Sequence, residues 1–191
     1  MKIGLFFGTF NPFHLGHKMI ASYVLDYTSL NKIHFVVSPR SPFKSFDQLL
    51  NKHDRLNMIK LEIKDNSLFE ASDIEFGMQE PSFTIDTLNL LIKNNPQNEY
   101  SLIMGSDNIM KFDTWKSYKK ILQNYQIYVY KRLGFVSQHQ HENIIFLDNC
   151  PTINISSSQI RELIRNDKDI SHLVPKNIVK YLYKNNLHNV I

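Results

Sequence analysis

An α/β architecture on a doubly wound, mostly parallel sheet is predicted by three features of this sequence. Short apolar, β-branched or aromatic runs alternate with longer amphipathic stretches along nearly the whole chain. That alternation lays helices over both faces of a parallel sheet. Two junctions, Gly8–His17 and Gly105–Asn108, place Gly or Pro where a strand hands over to a helix, and such sheets hold their ligands at the carboxyl ends of the strands. No repeat, low-complexity tract or linker interrupts the pattern, so the 191 residues read as one domain, 1–191, with a C-terminal helical part from about 156 to 191.

The elements follow in order. Residues 2–7 read as a buried strand, and Lys18–Tyr27 as a helix with Ile20, Val24 and Tyr27 turned inward. Residues 33–37 form a second strand, ending in a loop with two prolines and two cations through Lys44. Asp47–Lys64 is predicted as one long helix carrying Leu49, Leu50, Leu56, Ile59 and Ile63, and Leu68–Phe76 as a third strand. Pro81–Asp86 opens a helix that Asn94-Asn95-Pro96 stops. Tyr100–Met104 is a strand, Ile109–Leu122 one or two helices, and Gln126–Tyr130 and Ile144–Leu147 are strands separated by a polar surface loop. Ser156 begins a helix, and Val174–Leu187 is the last amphipathic one.

Composition narrows the class. Apolar residues at 42% and charged residues at 21% are those of an ordinary globular protein. A formal net charge of +4 suits polyphosphate ligands, while the absence of any dense Lys/Arg block argues against nucleic acid. One cysteine, Cys150, excludes an internal disulfide and a Cys-based zinc site, and fits a packing residue in a reducing, cytoplasmic setting. No run is apolar and long enough for a bilayer, so no membrane partner is expected. His34, His53, His139, His141, His172 and His188 show no metal-ligand spacing, and no protein-held metal is expected.

Gly8-Thr9-Phe10-Asn11-Pro12-Phe13-His14-Leu15-Gly16-His17 is the stretch on which chemistry is expected to centre. A helix start offers unpaired N–H groups and partial positive charge, which suits phosphate. Gly8 lets backbone approach a ligand, Pro12 stiffens the turn, and His14 and His17, three apart, share one side of the helix. Imidazoles can donate to phosphate oxygens without a permanent charge. Ser156-Ser157-Ser158, with Arg161 one turn on, offers helix capping or a second anion cradle of hydroxyls, N–H groups and guanidinium.

The first stretch resembles the HxGH signature of the nucleotidyltransferase α/β-phosphodiesterase superfamily, and Ser156–Arg161 resembles its ISSTxIR motif, with Ser158 in place of Thr. Pantetheine-phosphate adenylyltransferases usually carry Thr at His14 and Lys at Arg161, and this chain departs from them at both. Ser82-Phe83-Thr84-Ile85-Asp86-Thr87-Leu88 is similar to the SYTxDTL segment of bacterial nicotinate mononucleotide adenylyltransferases, and Gly105-Ser106-Asp107-Asn108 followed by Trp115 to their GxDxL…W segment. Arg55-Leu56-x-Met58 and Val174-Pro175-x-x-Ile178-x-x-Tyr181 also fit. The chain departs at Ser41-Pro42-Phe43-Lys44, where relatives commonly have Pro-Pro-His-Lys, and at Phe7, where many have a second Gly.

The resemblance implies a Rossmann-like nucleotidyltransferase fold and transfer of the adenylyl group of ATP, with Mg²⁺, to nicotinate mononucleotide. It implies catalytic His14, His17 and Arg161, and ATP binding by Gly8, Thr9, Phe10, Gly105, Asp107, Ser156, Ser157 and Ser158. Acceptor binding falls to Lys44, Ser82, Phe83, Thr84, Asp86 and Trp115. By residue chemistry alone, Thr84 and Asp107 can equally cap helices, Lys44 can stand in solvent, and Trp115 can be core. Another acceptor, nicotinamide mononucleotide or phosphopantetheine, or a non-catalytic nucleotide-sensing module remain alternatives, as does assembly into a homo-oligomer.

Overall fold

The computed structural model describes residues 1–40, 49–135 and 139–191. Six strands form one sheet: β1 (Lys2–Gly8), β2 (Lys32–Val37), β3 (Phe69–Ser72), β4 (Glu99–Gly105), β5 (Ile127–Tyr130) and β6 (Ile144–Leu147). Their order is β3-β2-β1-β4-β5-β6 and every pairing is parallel. The order reverses between β1 and β4, and a crevice opens there at the strands' carboxyl ends.

Successive strand side chains point to opposite faces, and here both faces are covered. Phe6, Ile33 and Phe35 enter one core layer; Ile3, Leu5, Leu102 and Ile127 enter the other. The register aligns Leu5 with Leu102 and Leu102 with Ile127, a buried row across three strands. Each such side chain contributes about 1.5–3 kcal/mol relative to exposure. Helices α1 (Leu15–Tyr27), α2 (Lys52–Ile63), α6 (Ser157–Arg165) and α7 (Lys176–Lys184) cover the first face. Helices α3 (Thr84–Asn94) and α5 (Tyr118–Asn124), with the one-turn α4 (Ser106–Ile109), cover the second. Among the described residues no helix is long and apolar enough to cross a membrane.

Several predicted boundaries move, each for a local reason. Helix α1 starts at Leu15 rather than Lys18, so His17 lies in its first turn. Ile20 and Val24 are buried as expected, but Tyr27 is 70% exposed and stacks on Tyr23 at 4.3 Å. The helix predicted from Asp47 begins at Lys52, because the Asn51 side chain accepts the His53 N–H at 2.9 Å and caps it. Leu50 is buried without being helical, and Asp47 lies outside the described residues. The third strand ends at Ser72, and Ile74–Gly77 is a 3₁₀ turn. The Ile109–Leu122 segment splits into the end of α4, a 3₁₀ turn at Phe112–Thr114, and α5, with Ser117 in the left-handed region at φ 56°. The last predicted helix stops at Lys184, and Asn186 takes φ 54° before a short 3₁₀ turn, as Asn readily does.

Candidate active site

Two cavities open at the carboxyl ends of β1 and β4. The larger, about 580 Å³, is lined by Gly8, Thr9, Phe10, His14 and His17, by Asp107 and Arg132, and by Ser156, Ser157, Ser158 and Arg161. The smaller, about 250 Å³, is lined by Ser38, Arg40, Glu75, Ser82, Phe83, Thr84, Trp115 and Lys116. Phe7, Gly8, Thr9 and Asn108 border both, so the cavities meet along the end of β1.

The histidine pair is built by the entry into α1. Its rings stack at 3.6 Å between centroids, inside an aromatic box in which Phe10 lies 4.9 Å and Phe13 5.3 Å from His17. The His14 backbone N–H donates to His17 Nδ1 at 3.2 Å. That bond needs a lone pair on Nδ1 and leaves the proton of the neutral ring on Nε2. Burial pushes the His14 pKa down to about 3, with the Arg132 guanidinium adding to the effect, so His14 is neutral near pH 7. Its Nδ1 has no hydrogen-bond partner among the described residues.

The two glycines make room for this arrangement. A Cβ on Gly8 would come 2.9 Å from the Phe10 ring, so the space its missing side chain leaves is used by Phe10, whose φ is 48°. A Cβ on Gly16 would come 3.0 Å from His14 Nδ1 and from Ile153.

The first turn of α6 faces the pair. Ser156 caps the helix by accepting the Gln159 N–H, and the Ser157 hydroxyl donates to the Pro12 carbonyl at 3.0 Å. Arg161 donates from Nη1 to the Asn11 carbonyl at 3.0 Å and from Nη2 to Ser158 Oγ at 3.3 Å. Its buried Nε has no partner among the described residues, and burial lowers its pKa, with Arg165 contributing. The hydroxyls and the guanidinium that line this wall suit an anionic ligand.

The 82–115 region divides. Glu75 is 2% exposed, and its two carboxylate oxygens accept from the Ser82 and Thr87 hydroxyls, each at 2.7 Å. This fixes the floor of the smaller cavity. Phe83, not Thr84, is the N-cap of α3, and Thr84 lines the cavity. Trp115 lies there too, 5.4 Å from Phe112. Asp86 lines neither cavity; it pairs with Lys116 at 2.8 Å. Gly105 is also outside both linings and is the N-cap of α4. Asp107 faces the larger cavity, paired with Arg132 at 3.1 Å, and its Oδ1 has no hydrogen-bond partner among the described residues. Lys44 lies outside the described residues.

Sequence reasoning missed Arg132, Glu75 and Lys116, and noted Arg55 only as part of a motif. Arg132 could have been found only as one of a pair: the predicted strand ending at Tyr130 runs into Lys131-Arg132 and then Gly134, two cations at a strand-end turn.

A parallel sheet with paired helix starts that present imidazoles, hydroxyls and a guanidinium to one cavity, beside a second cavity, is the arrangement of a nucleotide-binding α/β protein with room for a second ligand. The profile of the cytidylyltransferase-like family matches residues 5–163. Named relatives are similar throughout. A protein of Flavobacterium psychrophilum named probable nicotinate-nucleotide adenylyltransferase is 42% identical, covering 98% of this chain and 99% of its own. One of the same name from Cytophaga hutchinsonii is 41% identical, covering 93% of each. The solved Plasmodium falciparum nicotinic acid mononucleotide adenylyltransferase, complexed with NaAD, superposes with a TM-score of 0.80 at 21% identity, over 100% of this chain and 98% of that one. The chain belongs to the nicotinate-nucleotide adenylyltransferase family.

Proposed function

We propose that the protein transfers the adenylyl group of ATP to nicotinate mononucleotide, releasing pyrophosphate and forming nicotinate adenine dinucleotide in NAD biosynthesis. The observation that carries this reading is the pair of cavities sharing Phe7, Gly8, Thr9 and Asn108. One is walled by phosphate donors and the other by an indole and hydroxyls. Two substrates seated in them meet at the end of β1.

In the reaction, an oxygen of the acceptor's 5′-phosphate attacks the α-phosphorus of ATP in line, and the bond to the bridging oxygen of pyrophosphate breaks. A phosphate is already nucleophilic near neutral pH, so the protein's task is positioning and charge stabilisation. His17 donates from Nε2, and neutral His14 lies stacked beneath it. Arg161, fixed against Asn11, meets the charge that builds on the phosphate chain, with Thr9 and Ser156–Ser158 in support. Asp107, on the cavity wall beside Arg132, accepts ribose hydroxyls. Trp115 stacks on the pyridine ring, Thr84 bonds its carboxylate, Ser82 holds the cavity's shape through its bond to Glu75, and Lys44 meets the acceptor phosphate.

Mg²⁺ enters as part of the nucleotide substrate. Its oxygen ligands in this reading are phosphate oxygens and water. The substrates are small molecules, and the proposed setting is the cytoplasm.

The test is pyrophosphate release with ATP and Mg²⁺, offering nicotinate mononucleotide, nicotinamide mononucleotide and phosphopantetheine in parallel. Strong preference for the first is expected. Preference for another acceptor reassigns the smaller cavity, and ATP binding without turnover on any of them overturns the enzymatic reading.

A further inference from the structure

Arg55 is the largest fully buried side chain that the reaction does not use. It is 1% exposed, and burial lowers its pKa to about 10. Four main-chain carbonyls hold it. Nε donates to Leu50 at 2.9 Å, Nη1 to Thr9 at 2.7 Å and Ser38 at 2.8 Å, and Nη2 to Pro39 at 2.9 Å. The acidic group whose charge it feels is Glu80.

Those carbonyls belong to three separate segments. Thr9 borders both cavities, Ser38 lines the smaller one, and Leu50 follows Leu49, which lines the larger. The Leu50 N–H in turn donates to Asn11 Oδ1 at 3.2 Å. Asn11 and Pro12 are the residues that Arg161 and Ser157 grip from α6. One planar guanidinium thus ties the loop after β1 to the chain leaving β2 and to the chain entering α2. A cation held by carbonyl dipoles on three segments fixes their separation, because each bond constrains both distance and plane.

We propose that Arg55 is a positioning residue for the two-substrate reaction: it locks the wall shared by both cavities to the wall of the smaller one and so sets the distance between the two substrates without touching either. The proposal rests on the adenylyl-transfer reading. It predicts an effect on turnover larger than on the binding of either substrate, since reacting groups about 1 Å out of place lose about 100-fold in rate.

The experiment is Arg55→Lys, with Arg55→Met beside it, measured for urea stability, for kcat, and for KM toward ATP and the acceptor. Lysine keeps the charge but presents three donors from one point, so it cannot hold four carbonyls on three segments. We expect Arg55→Lys to fold, with kcat down about 10- to 100-fold and both KM values within about threefold of wild type. Arg55→Met, which removes every donor, should fall further in kcat or fail to fold. Wild-type kcat in Arg55→Lys would overturn the proposal. So would a loss confined to KM, or one that vanishes on correction for the folded fraction. Wild-type protein that releases no pyrophosphate with any acceptor overturns the functional reading and this inference together, which sets that failure apart.

Discussion

Lowering the pH from 7.5 to 5 should destabilise this protein through His14, by an amount the structure sets. The ring is 5% exposed, and its pKa falls from 6.5 in the unfolded chain to about 3 in the folded one. Above pH 6.5 both states leave the ring neutral and nothing is lost. Below it the unfolded chain takes up a proton that the folded chain refuses, so stability falls steadily until the pH reaches the folded value. At pH 5 the deficit spans about 1.5 units, or about 2 kcal/mol. Other groups also titrate in this range, so the quantity to measure is a difference. Urea unfolding by circular dichroism at pH 7.5 and 5 is run on wild type and His14→Gln, which has no group to titrate there. The variant's loss of stability between the two pH values should be smaller than wild type's by about 2 kcal/mol. Parallel losses would refute the buried, neutral state of His14. So would an NMR titration showing the His14 ring protonating above pH 5.

Three further outcomes follow from the same geometry. His17→Ala should lower the rate of pyrophosphate release by at least about 100-fold, and should cost about 1 kcal/mol of stability because the ring stacks on Phe13 at 5.3 Å; near-normal turnover in the folded variant would remove His17 from the mechanism. Gly16→Ala gains about 1 kcal/mol of helix propensity but sets a Cβ 3.0 Å from His14 Nδ1 and Ile153, a strain of similar size. Its melting temperature should therefore barely move while kcat falls about tenfold, and unchanged kcat would show that His14 tolerates displacement. Glu75→Ala strips the acceptor from two buried hydroxyls and should cost about 1–3 kcal/mol, raising KM for the acceptor and not for ATP; a rise in KM for ATP instead would reassign the smaller cavity.

What the sequence exposed and what it hid differ in kind. The two strand–loop–helix junctions could be read because local chemistry makes them: Gly8 and Gly16 are small where Phe10 and His14 need space, and Ser156 caps its own helix. The strands were readable because both faces of a parallel sheet are apolar. The α2 boundary was misread because Leu49 and Leu50 continue the helical spacing although Asn51 starts the helix and Leu50 is buried as part of a loop. Arg55 and Glu75 stayed hidden as working parts. Their partners are backbone carbonyls and hydroxyls brought together by tertiary folding, and a main-chain carbonyl 46 residues away leaves no trace in composition or period. Arg132 reaches Asp107 across two adjacent strand ends, a pairing that only the strand order creates.

The chain contains one tryptophan, and it lines the smaller cavity. All indole emission, excited at wavelengths where tyrosine is dark, therefore originates beside the acceptor subsite. An electron-poor pyridine ring settling on that indole should quench it, whereas nucleotide filling the larger cavity should leave it nearly untouched. The protein thus carries its own optical label for one of its two ligands. The order in which they arrive can be followed in rapid mixing without any dye or tag.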